Sequence, residues 1–278
     1  MKGCKKLKKN ISIIGGDLRA CYLAKILTKD GYDIYTYGLD KANFIDDIDN
    51  IYKVDEMSKV VDMSSIIISS IPLMKDENNI KAPYANGDIS ASKLIKKIKN
   101  KMFIAGKIPS RFNEYVKKNN IQILDIAENE ELAILNSIST VEGAIKIAIE
   151  ETNSTLHGSN CLILGFGRIG KVLAKTLIGF GANVYCEARK KTDIAWIKAL
   201  GYKAVELENL DKNLENKHIV FNTIPYLVLT KERLGIINKD TVIIDLASAP
   251  GGIDREYADK IKIKNIWALG LPRKNCTI

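Results

Sequence analysis

Residues 161–191 read CLILGFGRIGKVLAKTLIGFGANVYCEARKK. An apolar run, 162–164, leads into Gly165-Phe-Gly-Arg-Ile-Gly170. An amphipathic segment follows, and a second strand-like run, NVYCEA, ends at Arg189, Lys190 and Lys191. A glycine cluster alone says little, because many turns contain one. Between an apolar strand and an amphipathic helix, G-x-G-x-x-G reads as a dinucleotide-binding turn. Gly165 permits the tight turn, Gly167 lets a pyrophosphate approach the backbone, and Gly170 lets helix and strand pack closely. The helix start, with Arg168 and Ile169, then offers N–H groups and a positive dipole end to phosphates.

The strand at 183–188 is expected to end near the adenine ribose, about twenty residues past the first glycine. An acidic residue there accepts both ribose hydroxyls and repels a 2′-phosphate. With Ala188 in that place, Arg189 and Lys190 follow. Arginine forks onto a phosphate through two hydrogen bonds, and lysine adds a mobile charge. This register predicts NADP as the cofactor. A register shifted by one residue puts Glu187 at the ribose and predicts NAD.

Working outward, the same alternation recurs. ISIIGG, YDIYTYG, SSIIISSIP, MFIAG and IQILDI read as strands with helices between them. After residue 159 the pattern returns in CLILGFG, NVYCEA, YKAVEL, HIVFNTIP, TVIIDLA and IKIKNIWAL. Strands separated by helices imply parallel sheets covered on both faces. The expected fold is α/β: two Rossmann-like doubly wound parallel-sheet domains joined by a bridging helix. Residues 1–136 form a substrate-binding domain, 137–158 the bridging helix, and 159–278 the cofactor-binding domain. Ser139 or Thr140 is expected to cap that helix, with Glu142 in its first turn. Gly15-Gly16 follows the first strand without a third glycine and reads as a turn in the substrate-binding half. The polar segment 75–88 reads as a loop at the carboxyl end of a buried strand, where ligands tend to be held.

Composition sets bounds. Of 278 residues, 46% are hydrophobic and 27% charged, ordinary for a globular protein. Unbroken apolar runs stop at strand length, so no membrane span is expected, and no signal-peptide core is expected near the amino terminus. The expected location is the cytoplasm. Five cysteines without C-x-x-C pairing argue against a disulfide framework or a metal site. The net charge of +9 is spread as scattered lysines, without the basic and aromatic stripe that nucleic acid requires.

The strings IGGDLR, NSISTVEGAIKIAIEETNSTLHGSN, LGFGRIG, GANVYCEAR, NTIP, DLASAPGGID and GLP occur in order along nearly the whole chain. As an ordered set they resemble the family of dipicolinate synthase A subunits from spore-forming bacteria. The resemblance implies an amino-terminal substrate domain and a carboxyl-terminal NADP-binding domain. It also implies a partner, a flavoprotein-like second subunit. The implied reaction is oxidation of a dihydrodipicolinate, or of its hydroxylated tetrahydro precursor, to dipicolinate in the mother-cell cytoplasm during sporulation. The resemblance carries over Gly165, Gly167, Arg168, Ile169 and Gly170 as the phosphate turn, and Arg189 after the second strand. Thr140, Glu142 and Gly143 would lie near the substrate. Two departures stand out: Ser139 replaces the family's proline, and GLPRKNCTI stands where the family continues into a further turn and helix, whose loss is expected to expose apolar surface.

Aromatisation of a dihydropyridine drives hydride loss, so the protein's tasks are orientation and the binding of two carboxylates. Arg19, Lys107 and Arg255 follow predicted strands and are candidate carboxylate ligands, each with an ordinary surface charge as the alternative. Glu142 or Asp245 could accept the ring proton. Asn222, Thr223 and Ser248, at strand carboxyl ends, could touch cofactor or substrate, or merely cap their loops. A 2-hydroxyacid dehydrogenase is the rival enzyme, but it needs a base such as histidine. Both histidines, His157 and His218, precede strands and so fall at the wrong sheet edge. A non-catalytic nucleotide-sensing or scaffold subunit is the rival of another class.

Overall fold

The computed structural model describes residues 9–269 and 271. The sequence-level readings on Cys4, Cys276 and most of GLPRKNCTI fall outside the described residues. The chain divides into two compact units, Met1–Leu132 and Ala133–Ile278.

In the first unit the elements run β1 (Lys9–Ile14), α1 (Leu18–Lys29), β2 (Tyr32–Tyr37), β3 (Ile51–Lys53), α2 (Met57–Asp62), β4 (Ile66–Ser69), α3 (Ala91–Lys97), β5 (Met102–Ala105), α4 (Asn113–Lys118) and β6 (Gln122–Asp125). The strands form one sheet in the order β3-β2-β1-β4-β5-β6, and every pairing is parallel. Each face carries its own core. Ile11 and Ile13 pack with Cys21 and Ala24 of α1 on one side. Ile14, Ile67 and Phe103 pack with Val60, Leu94 and Val116 on the other. Order reverses between β1 and β4, and doubly wound sheets open a crevice at such a point.

The second unit begins within the first turn of α5 (Glu130–Glu151) and continues through β7 (Asn160–Leu164), α6 (Arg168–Gly179), β8 (Asn183–Ala188), α7 (Lys191–Ala199), β9 (Lys203–Glu206), β10 (Ile219–Asn222), α8 (Lys231–Leu234), β11 (Val242–Asp245), α9 (Arg255–Lys260) and β12 (Asn265–Trp267). Its parallel sheet has the order β12-β11-β10-β7-β8-β9, the first unit's plan with the switch point between β7 and β10. The two faces again carry separate cores, one under α5, α6 and α7, the other under α8 and α9. Three buried thiols belong to these layers. Burial pushes Cys161 and Cys186 up to about 12 and, together with Asp17, Cys21 up to about 11, so none is a ready nucleophile.

Helix α5 corrects the expected start. It begins at Glu130, with the Asn129 side chain accepting the Leu132 N–H at 2.8 Å and Glu130 and Glu131 in the first turn. Ser139 and Thr140 therefore lie in its interior. Among the described helices, α5 is long and apolar enough to cross a membrane by length and composition. No unbroken apolar run announces it, because Ser, Thr and Gly interrupt the pattern. Its Val141, Ala144, Ile145 and Ala148 stripe is buried in the second unit's core.

Candidate functional site

Two of the three glycines of the turn between β7 and α6 sit where contacts leave no room for a side chain. Gly165 holds φ +92°, and a Cβ there would stand 2.6 Å from Thr223 Oγ1. A Cβ on Gly170 would collide with the Gly165 carbonyl oxygen, so α6 packs onto the turn only through a glycine. Gly167, at the cap position of α6, has nothing within 4 Å of its missing Cβ. That open space, beside a helix end with no acidic residue in its first turn, fits the pyrophosphate of a dinucleotide. Arg168 is exposed at the same helix end, and Ile169 packs against the core beneath it.

Leu164 pairs with Glu187, and Ala188 is the last strand residue. Glu187 is 1% exposed, and its Oε2 accepts the Gly165 N–H at 3.2 Å. Burial raises its carboxyl above the ordinary value, and the Gly165 N–H, Arg189 and Arg233 offset this only in part. Ala188 thus stands at the strand end, with Arg189 and Lys190 exposed beyond it. Lys191 does not join them, because its ammonium pairs with Glu206 at 2.7 Å.

Loop side chains at the other strand ends hold their own backbone. Asn222 Nδ2 donates to the Ile224 carbonyl and to Asp245 Oδ1, and its Oδ1 accepts the Ile224 N–H. Thr223 donates to the Leu164 carbonyl at 2.8 Å, tying β10 to the glycine turn. Asp245 is fully buried. It accepts from Asn222, from the Ala247 and Gly252 N–H groups, and from Arg255 at 2.6 Å. Four donors at 0% exposure make it the post that organises two loops. Arg255, expected among the carboxylate clamps, is committed to Asp245 and lies 3.6 Å from the Trp267 ring. Ser248 is exposed on the loop after β11.

Glu142 is also not brought to the glycine turn. It lines a groove of about 390 Å³ with Ile145, Ile149, Thr176 and Phe180, at the carboxyl end of α6. The turn lies at the amino end of that helix, and its twelve residues span roughly 18 Å. Thr140 is buried and donates to the Asn136 and Leu271 carbonyls.

In the first unit, Gly15 and Gly16 hold φ +67° and +105° at the switch point. Asp17 caps α1 by accepting the Arg19 N–H. Its carboxylate also accepts from Arg19 Nε at 2.9 Å and from Lys81 Nζ at 2.9 Å. Both cations reach the Ile71 carbonyl. Burial works against ionisation of Asp17, but Arg19 and Lys81 outweigh it and hold the carboxyl far below its usual range. Asp17 thus holds two cations at the strand carboxyl ends. Lys81, only 11% exposed at its side chain, was not singled out from sequence. The signal was its place between Ile80 and Ala82, which pack into the core. Lys107 is exposed after β5, with its N–H on Asp125.

A depressed carboxyl stabilises the fold above its unfolded value, and that contribution disappears as pH falls through the lower native value. Asp17→Asn is therefore expected to cost about 2 kcal/mol at neutral pH. Urea unfolding of both proteins at decreasing pH should show that difference shrinking toward zero.

The two histidines lie at the opposite edge. His218 Nδ1 accepts the Asn160 N–H at the start of β7, and His157 packs on Gly181 before β8.

Residues 10–127 match the family described as the N-terminal domain of the dipicolinate synthase A subunit. Residues 137–247 match the NAD-binding domain of D-isomer-specific 2-hydroxyacid dehydrogenases. The dipicolinate synthase A subunit of Bacillus subtilis (strain 168) is 31% identical over 264 residues, covering 94% of this chain and 88% of that protein. The crystal structure of the Bacillus subtilis A subunit superposes with a TM-score of 0.84 at 30% identity, over 96% of this chain and 90% of the other. That of the Bacillus halodurans A subunit gives 0.84 at 30%, over 93% and 89%. A Sinorhizobium meliloti transhydrogenase, 15% identical with a TM-score of 0.59 over 88% and 80%, shares the fold. The glycine turn fits a nicotinamide dinucleotide, the second unit is of the dehydrogenase type, and the chain belongs to the family of dipicolinate synthase A subunits.

Proposed function

We propose that this chain is the dinucleotide-binding subunit of a dipicolinate synthase and oxidises a dihydrodipicolinate, or its hydroxylated tetrahydro precursor, with NADP as acceptor. The observation that carries the cofactor half is the end of β8: Glu187 is turned under the glycine turn while Arg189 and Lys190 are exposed beyond Ala188. A bound NADP supplies the hydride acceptor. Gly165, Gly167 and Gly170 shape its phosphate cradle, Arg168 and Ile169 open the helix above it, and Arg189 and Lys190 take the 2′-phosphate. Asn222 and Thr223 act by holding the loops around it.

In the first unit, Arg19 and Lys81 bind a substrate carboxylate. Asp17 fixes both cations in place, and the exposed guanidinium of Arg19 offers its remaining N–H groups to the ligand. Lys107 and Ser248 are further polar contacts in this reading, and Thr140 acts as a packing residue. The dihydro ring becomes aromatic by giving a hydride to the dinucleotide and a proton to water, so no dedicated base is needed; the hydroxylated tetrahydro precursor first loses its hydroxyl as water. The partner is a flavoprotein-like second subunit, and the setting is the mother-cell cytoplasm during sporulation. Alcohol oxidation of the 2-hydroxyacid type is disfavoured by the placing of both histidines at the amino edge of the sheet.

The test mixes the purified chain with NADP, the candidate precursor and the second subunit. Dipicolinate absorbance rising in step with NADPH is the expected result. Cofactor binding without turnover under every condition would replace this reading with a nucleotide sensor. Arg189→Ala is expected to weaken NADP about 10- to 100-fold and to leave NAD within about twofold, since a forked charged contact is lost from the phosphate alone. Titration calorimetry with both dinucleotides checks it.

A further inference from the structure

Only half of the Glu187 carboxyl group is satisfied. Oε2 accepts the Gly165 N–H, while Oε1 is sealed from solvent without a hydrogen-bond partner. Its strand neighbours Leu164 and Val205 belong to an apolar core. An ionised carboxylate with one bare oxygen in such surroundings is costly, and a proton on that oxygen removes the charge.

The charges around it are few and mostly committed. Arg233 of α8 holds Asp211 and the Val228 carbonyl. Glu206 of β9 is turned to Lys191. Lys203 and Lys217 lie over the ring of Tyr185, two residues back on the same strand face. Arg189, whose field reaches Glu187, is exposed and makes no ion pair among the described residues.

We infer that Glu187 sets the coenzyme preference through its proton: protonated, it leaves Arg189 to the 2′-phosphate, and ionised, it draws on the same guanidinium and repels that phosphate. This rests on the reading of Arg189 as the 2′-phosphate ligand. The sign follows from burial. A carboxyl raised in the native state keeps its proton below the native value and releases it to solvent as pH rises through it. NADP preference therefore falls toward alkaline pH. Ionisation of the 2′-phosphate itself, near pH 6, strengthens its pull on Arg189 and so works in the opposite sense.

The experiment measures dissociation constants for NADP and NAD from about pH 5.5 to about pH 9, on the wild type and Glu187→Gln. In the wild type, the ratio Kd(NAD)/Kd(NADP) is expected to fall about tenfold relative to that of Glu187→Gln as pH rises through the native Glu187 value. Glu187→Gln, neutral throughout, should follow the ionisation of the 2′-phosphate alone. Parallel profiles in the two proteins, with NADP still preferred, overturn the role of Glu187 alone. Tighter NAD binding by both proteins at every pH overturns the reading of Arg189 as well. The carboxyl carbon-13 resonance of Glu187 in the ligand-free protein is a readout that needs no variant. A midpoint above the ordinary glutamate range supports the inference, and one at or below that range overturns it.

Discussion

Gly170→Ala is expected to lose both stability and cofactor. Its methyl group collides with the Gly165 carbonyl oxygen, which is backbone and cannot rotate away, so α6 must lift from β7. Overpacking of this kind costs about 2–4 kcal/mol. The turn no longer closes, so NADP and NAD should both weaken by at least about tenfold. Thermal unfolding and titration calorimetry read the two effects separately. Gly167→Ala separates them in the protein. Its backbone angle of −84° accepts a side chain and nothing lies within 4 Å. That variant should keep its melting temperature within about 2 °C and still bind dinucleotide poorly, since the new methyl occupies the space left for the pyrophosphate.

Asp245→Ala is expected to be the most destabilising single change in the second unit, by about 3–5 kcal/mol. Asp245 is fully buried and gathers Asn222, two backbone N–H groups and Arg255. Removing it leaves those donors without an acceptor and strands the Arg255 charge beside Trp267. The urea midpoint checks the loss. Pairing the change with Arg255→Met should recover part of it, because the desolvated guanidinium then disappears as well. Additive losses in the double variant would show that the ion pair is not the coupling between these loops.

The strand, glycine turn and helix at 161–191 were legible because each glycine answers a geometric demand that the chain order already implies. Both sheets were legible for a similar reason: uninterrupted apolar strands between helices have one common solution. The start of α5 was not. Ser139 and Thr140 resemble caps, but serine and threonine inside a helix can satisfy their hydroxyls on the preceding turn. Ser137 and Thr140 do so through the Ile134 and Asn136 carbonyls. The direction of Glu187 was beyond reach too, since a strand covered on both faces gives no alternation to fix its register. Asn222 and Asp245 carry the residue types of a ligand site and of a loop brace alike. Only the hydrogen bonds separate those uses. Lys81 escaped notice because the loop around it is polar and only its neighbours Ile80 and Ala82 hint that its ammonium turns inward, to a carboxylate 64 residues earlier.

The two sheets share one strand order, yet their helix starts differ in sign. Where the second unit opens α6 with Gly167 and Arg168, the first opens α1 with an ionised Asp17 that already occupies the leading amide. A diphosphate approaching there finds the Asp17 side chain on the amide, in the space that Gly167 leaves open in the second unit. One polypeptide should therefore saturate with a single mole of dinucleotide, despite carrying the nucleotide-fold topology twice.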